Sequence, residues 1–248
     1  MKTLLHSILL MLALLLSAPA QAEIASDTLH RPFDQLLSEH VNNGLVNYPA
    51  IKADPRFEAY VASLAEINAD ELPSREEKLA FWINAYNVLA IKGIIDGRSP
   101  DSFFGRVGYF KLAKYEVGGH SISLYDIEQE ILIPMGEPRI HFAIVCASQS
   151  CPALPSQAYF AEQLEDKLQA SAFAFINNPT KNDFSGKPIY LSKIFDWFAQ
   201  DFSSQAGSVQ KYLAAYVDSP ELKQQLAAEQ LTPKFLDYSW ELNGIAPD

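Results

Sequence analysis

"LAFWINAYNVLAIKGII", residues 79–95, is apolar almost all the way round. A helical stretch with no solvent-facing side must be buried on several sides. Its limits are marked as well. Ser74 and Glu77 have the spacing of a capping box, and Gly97 is a stop signal. The pattern predicts a helix over 74–96 at the centre of the domain. Three polar side chains interrupt it: Asn84, Tyr86 and Asn87. Asn84 and Asn87 are three apart and share a face. A buried amide left without partners costs about 1–3 kcal/mol. Each must therefore bond to something, either to fix the path of a neighbouring loop or to orient a catalytic loop or a substrate.

Outward from this helix the period changes repeatedly. Residues 29–43 place Phe33, Leu36, Leu37 and Val41 on one helical stripe, and 56–67 do the same with Phe57, Val61 and Leu64. "KYEVGGHSISL" (114–124) alternates around Gly118-Gly119, a hairpin signal. "LYDIEQEIL" reads as a short helix and Ile140–Cys146 as a buried strand. Residues 157–177 form a helix with Phe160, Leu164, Leu168 and Phe173 as its stripe. "KPIYLS" is a strand, "KIFDWFAQDF" a short helix, 208–230 helical with a break near Pro220, and "KFLDYSWEL" a closing strand. This is α+β: one layer of mostly antiparallel sheet covered by helices, around one buried central helix.

The first 22 residues have Lys2, an apolar run from Ile8 to Leu16 and an Ala20-Gln21-Ala22 cleavage signal, the pattern of a secretory signal peptide. Cleavage after Ala22 leaves about 226 residues, 23–248, as a single globular domain that is periplasmic or secreted. No later segment is apolar for long enough to span a bilayer, so no integral membrane segment is expected after processing. The whole chain has a net charge of −11, and removal of Lys2 makes it −12. Such a surface is expected to repel nucleic acid and anionic lipid, or simply to aid solubility. No clustered cysteine–histidine spacing or phosphate loop is present, so no metal and no cofactor are expected. His30 and His40 read as solvated, and His120 as exposed in the hairpin. Trp82, Trp197 and Trp240 read mostly as core, with some aromatics free to line a groove for a peptide or small molecule.

Four ordered motifs, "FWINAYN" (81–87), "VGGHSISLYDIEQEIL" (117–132), "IHFAIVCASQSCPAL" (140–154) and "FLDYSWELN" (235–243), resemble the domain of unknown function 547 family over roughly residues 70–243. The helix after the hairpin often reads "IEHGILR" in that family. Here it is "IEQEILI", so Gln129 stands where the family has a histidine and supplies no base.

Both cysteines lie in "CASQSC", residues 146–151. Three readings stay open for them. An oxidising compartment favours a Cys146–Cys151 disulfide. A thiol just before a helix gains nucleophilicity. Free cysteine is also a small buried hydrophobe. On a strand, His141 and Cys146 would fall on opposite faces, whereas a fold-back would bring Cys151 beside His141. The sharper reading makes Cys151 the nucleophile, His141 the base and Glu128 the orienting acid, with Asp126, Asp237 and the two helix asparagines also available as that third member. Asn84, Asn87, Cys146 and Ser150 then bind or orient, and Ser148, Ser150 and loop N–H groups receive an oxyanion. A buried helix against sheet invites analogy with papain-like and transglutaminase-like folds. In those folds, however, the cysteine opens the central helix, and this one carries none. Two functions follow. One is a thiol-dependent hydrolase or acyltransferase acting on peptide or amide substrates in the cell envelope. The other is a non-catalytic binding or assembly module with a structural disulfide.

Overall fold

The computed structural model describes residues 18–247, with side chains from Thr28 onward. The leader pattern, 1–22, lies outside the described residues except for the backbone of its last five. A long helix, Ala18–His40, leads into the short strands β1 (Val41–Asn42) and β2 (Leu45–Asn47). Helices Tyr48–Ala53 and Pro55–Ala65 follow, each with an aspartate or asparagine cap and a proline in its first turn. They pack on the central helix, Arg75–Ile95, and Glu58 pairs with Lys92 near its C-terminal end at 3.0 Å.

The central helix is the one the sequence predicts. Ser74 Oγ accepts from Glu77 N at 3.1 Å, and the Glu77 carboxylate accepts from Ser74 N at 3.2 Å. Every residue from Leu79 to Ile91 is buried. The hairpin also forms as predicted, with β3 (Tyr115–Val117) antiparallel to β4 (His120–Ile122). Gly118 has φ +64°, and a Cβ there would lie 2.8 Å from the Trp82 ring. Its N–H donates to Leu64 O at 2.9 Å. The hairpin turn therefore locks onto the central helix through a position that only glycine fits.

Other expectations need correction. The α+β class holds, but the strands are short and divided among three small sheets. One hairpin pair, β1–β2, continues into β7 (Gly244–Ile245) by a parallel pairing. β5 (Ile189–Leu191) pairs with β6 (Pro233–Phe235), also in parallel. Parallel neighbours need long crossovers, and here the helices Ile194–Trp197, Ala199–Ala206, Val209–Ala214 and Pro220–Ala227 supply one. Ile140–Cys146 is not a strand. Pro138–Phe142 is a 3₁₀ helix, and the chain then runs extended without a ladder. The helix expected over 157–177 is Leu164–Ile176, and its inward stripe is Leu164, Leu168, Ala172 and Phe175, which leaves Phe173 exposed. His30 is fully buried and bonds the Tyr60 hydroxyl at 2.8 Å, so it is not solvated. His40 is partly buried, 3.5 Å from Asp54 Oδ2.

Two hydrophobic clusters result. The larger surrounds the central helix. The smaller gathers Phe142, Phe175, Phe195, Phe202, Tyr212 and Leu226 from the C-terminal helices. The Pro138–Phe142 turn joins them, with Ile140 in the first and Phe142 in the second. His141 thus stands at their seam.

Trp82→Ala should lower unfolding free energy by about 3–5 kcal/mol, the usual penalty for emptying a large aromatic site. Denaturant midpoints at unchanged slope would measure it.

Candidate functional site

Asn84 and Asn87 turn the central helix into a template for two segments that have no strand partner. Asn84 Nδ2 donates to Tyr159 O at 2.7 Å, and Oδ1 accepts from Tyr159 N at 2.9 Å. Asn87 Nδ2 donates to Ala143 O at 2.9 Å, and Oδ1 accepts from Val145 N at 2.8 Å. Each amide therefore replaces one rung of a ladder. Neither lines a pocket: Asn87 fixes the run that delivers Cys146, and Asn84 fixes the chain on the far side of the cysteine loop.

Cys146 and Cys151 are joined by a disulfide, with Cα atoms 6.2 Å apart. In this form neither carries a thiol. The loop between them has Ala147 at φ +62°, a left-handed conformation unusual for alanine. The C-terminal segment holds it there. Gln149 N donates to Glu241 O at 2.7 Å, Ser150 N to Ser239 O at 3.3 Å, and Asn243 N to Ala147 O at 3.1 Å. Ser150 Oγ accepts from Ser239 N at 2.8 Å. Cys151 N donates to Ser148 O and Cys146 N to the Cys151 sulfur. The N–H groups of Cys146, Gln149, Ser150 and Cys151 are thus committed, which removes them from the expected oxyanion hole. Ser150 orients the loop rather than facing a ligand. Ser148 is buried and donates to the Tyr238 hydroxyl at 3.0 Å; that hydroxyl lies 3.2 and 3.1 Å from the two sulfurs.

The disulfide forms part of one wall of a cavity of about 400 Å³. Tyr86, Glu128, His141 and Ile144 join it, and Phe110, Trp197, Phe198, Tyr238 and Trp240 supply aromatic surface. The rings form a continuous wall: Trp197 lies 4.8 Å from Tyr238 and 6.1 Å from Trp240, and Tyr238 lies 4.6 Å from Trp240. Trp197 and Trp240 therefore line a groove, and only Trp82 is core. Because His141 sits on a 3₁₀ turn, the parity that would set it opposite Cys146 does not apply. His141, Glu128, Cys146 and Cys151 share this one cavity, whereas Asn84, Asn87 and Ser150 stand outside it.

His141 stacks on Phe198 at 3.9 Å, and its Nε2 is 2.7 Å from Asp201 Oδ2. Its Nδ1 is buried without a partner. Burial lowers the imidazole pKa, and Asp201 opposes that shift. The Asp201 bond fixes the ring's orientation. Burial pushes the Glu128 carboxyl up to about 7, the Gln129 side chain opposes this, and the negative charge of Asp201 adds to it. Tyr238 is pushed up to about 12, chiefly by burial. Near neutral pH the cavity floor therefore offers a carboxyl close to its titration point, a neutral imidazole and an intact phenol. Asp201 and Tyr238 were not singled out from sequence. Asp201 is one acid in an amphipathic helix, and nothing local links it to a histidine 60 residues away.

Glu39, His40 and Asp54 place ligand atoms within 4.8 Å of one another. Arg56 already bonds both carboxylates, at 2.6 Å to Glu39 and 2.5 Å to Asp54, and so occupies the carboxylate oxygens with an ion pair.

The fold and cavity define an α+β domain whose loop–tail junction builds an aromatic, disulfide-braced pocket. Residues 70–176 match the family model described as "Protein of unknown function, DUF547", which supports the resemblance drawn from the motifs. The match includes three of the four motifs and ends before the fourth, at 235–243, which supplies Tyr238 and Trp240. No curated protein matches the chain, and no solved structure does either, so the papain-like analogy gains no support.

Glu128 gives a pH dependence of known sign. The folded state keeps its proton up to about pH 7, whereas an unfolded carboxyl releases it near 4.3. Its contribution favours folding at low pH and is lost as pH rises through 7. His141 works in the opposite sense: its contribution is present above about pH 6.5 and lost as pH falls. In urea titrations across this range, the stability of wild type relative to Glu128→Gln should decline with rising pH. The slope should be at most about 1.4 kcal/mol per pH unit.

Proposed function

We propose that this chain is an exported, non-catalytic binding module that takes an apolar or aromatic group of a small molecule or peptide into the Trp197–Tyr238–Trp240 pocket. The observation that carries the reading is the joined cysteine pair: the one candidate nucleophile in the cavity is tied up, while the cavity around it is deep, aromatic and framed by fixed backbone. Pockets of this size, with mostly apolar walls and a few convergent polar groups, are the usual shape of ligand sites. Export is supported by the leader pattern and by a disulfide that an oxidising compartment sustains.

Denatured, unreduced protein should show no thiol reactive toward a thiol-directed reagent. Trp197 and Trp240 line the pocket, so tryptophan fluorescence should respond to ligands with an aromatic or branched apolar group. Trp197→Ala should weaken that response by about tenfold, a typical loss for a buried aromatic anchor. Two free thiols in protein recovered from an oxidising compartment would overturn this reading.

A second reading rests on one observation. His141, oriented by Asp201 and with a free Nδ1, shares the cavity with both sulfurs. Reduction of the disulfide would release a Cys151 thiol into the cavity that His141 also lines, the pair of groups a thiol-dependent hydrolase or acyltransferase acting on peptide or amide bonds uses. Labelling of Cys151 that appears only after reduction, and that falls on His141→Ala, would favour it. Equal labelling of both cysteines, unaffected by His141, would remove it.

A further inference from the structure

The segment that forms the mouth of the pocket has an outer side that faces away from the cavity. The helix Phe103–Arg106, capped by Ser102, runs directly into a wider π-helical turn, Val107–Leu112. Its inner side is anchored: Tyr109 is fully buried, and its hydroxyl donates to Ala90 O at 2.8 Å on the central helix. Its outer side is not covered. Phe103, Phe104 and Leu112 are 67%, 84% and 71% exposed, and Tyr125 and Trp197 stand half-exposed at the same rim. A rigid segment that presents large apolar side chains to solvent is costly to keep unless something receives them.

The charges around this lip indicate what does. From Ser102 to Tyr115 the chain has Arg106, Lys111 and Lys114 and no acid, in a protein of net charge −11. Lys114 is ion-paired with Asp126. Arg106 and Lys111 instead lie over aromatic faces, Arg106 at 4.8 Å from the Trp240 ring and Lys111 at 4.1 Å from the Tyr125 ring. Neither has an acidic partner among the described residues. Arg106 also donates to Pro100 O at 3.2 Å. Exposed phenylalanine and leucine flanked by cations with no carboxylate partner, with tyrosine and tryptophan beside them, are the composition of a segment lying in a membrane interface. The bulk of the surface is repelled by anionic lipid, but two cations at the surface each attract it by about 1 kcal/mol within a Debye length.

We infer that the Phe103–Leu112 lip docks this protein on the surface of an anionic phospholipid membrane, with Phe103, Phe104 and Leu112 entering the interface and Arg106 and Lys111 meeting the headgroups. The inner side of this segment, from Phe103 to Lys111, lines the pocket, whereas Phe104 and Leu112 face away from it, so docking through those two does not depend on the binding reading. Docking would turn the pocket mouth toward the lipid.

The test uses the full chain and sedimentation with vesicles of phosphatidylglycerol and phosphatidylcholine in equal parts. Binding should be salt-sensitive and weaker to phosphatidylcholine alone. Phe104→Ser with Leu112→Ser should reduce it by about tenfold, in line with the apolar area withdrawn. Both changes are at exposed positions, so the thermal midpoint should not move. Wild type and variant share the same N-terminal residues, so the difference reports the lip alone. Absence of vesicle binding by wild type, or equal binding by the variant, overturns the inference. A concentration-dependent dimer that the same two changes abolish, without vesicle binding, also overturns it and assigns the lip to a second copy of the chain.

Discussion

The rest of this structure depends on two asparagine amides. A helix apolar on every side packs against anything greasy and specifies little about where its neighbours run. Asn84 and Asn87 add that specification. Each offers a donor and an acceptor in the geometry of a peptide group, and each is met by a main-chain donor and acceptor from the 143–145 or the 159 segment. In a dry interior an unmet amide is expensive, and a neighbour displaced by one residue would leave it unmet. The amides thus convert non-directional burial into a fixed register. The disulfide loop then starts from a defined point, and the pocket inherits that precision.

Much of the fold could be read from local chemistry. The central helix announces itself by unbroken hydrophobicity and a capping box, and the Gly118-Gly119 hairpin by turn residues at the required spacing. What could not be read was long-range. The β5–β6 and β2–β7 pairs are each two or three residues long and join segments far apart in the chain, so no alternation signals them. The stretch Ile140–Cys146 has the composition of a buried strand but spends its first residues in a 3₁₀ turn opened by Pro138, and beyond it the Asn87 side-chain amide takes the place of a partner strand. Composition cannot distinguish these cases.

The site was legible in part. The cysteine loop, His141 and Glu128 are drawn from motif-bearing stretches, and the structure brings them to one cavity. Asp201, which fixes the His141 ring, and Tyr238, which touches both sulfurs, come from elements whose approach is decided by tertiary packing. The aromatic wall escaped for a similar reason. Tryptophan and phenylalanine look alike in sequence whether they fill a core or face a void, and only the position of Trp197 and Trp240 relative to the tail separates the two.

The antiparallel clasp between residues 147–150 and 239–243 has a consequence for how far along the chain each part of the molecule finds its neighbours. The central helix, the hairpin and the long N-terminal helix have most of their neighbours within the first 160 residues. The pocket does not. Its roof, Tyr238 and Trp240, and the backbone that holds Ala147 in its left-handed turn arrive together from one late segment. The cysteines are near neighbours in sequence. The covalent bond thus closes only a short local loop, whereas the recess beside it is complete only once the distant tail is in place.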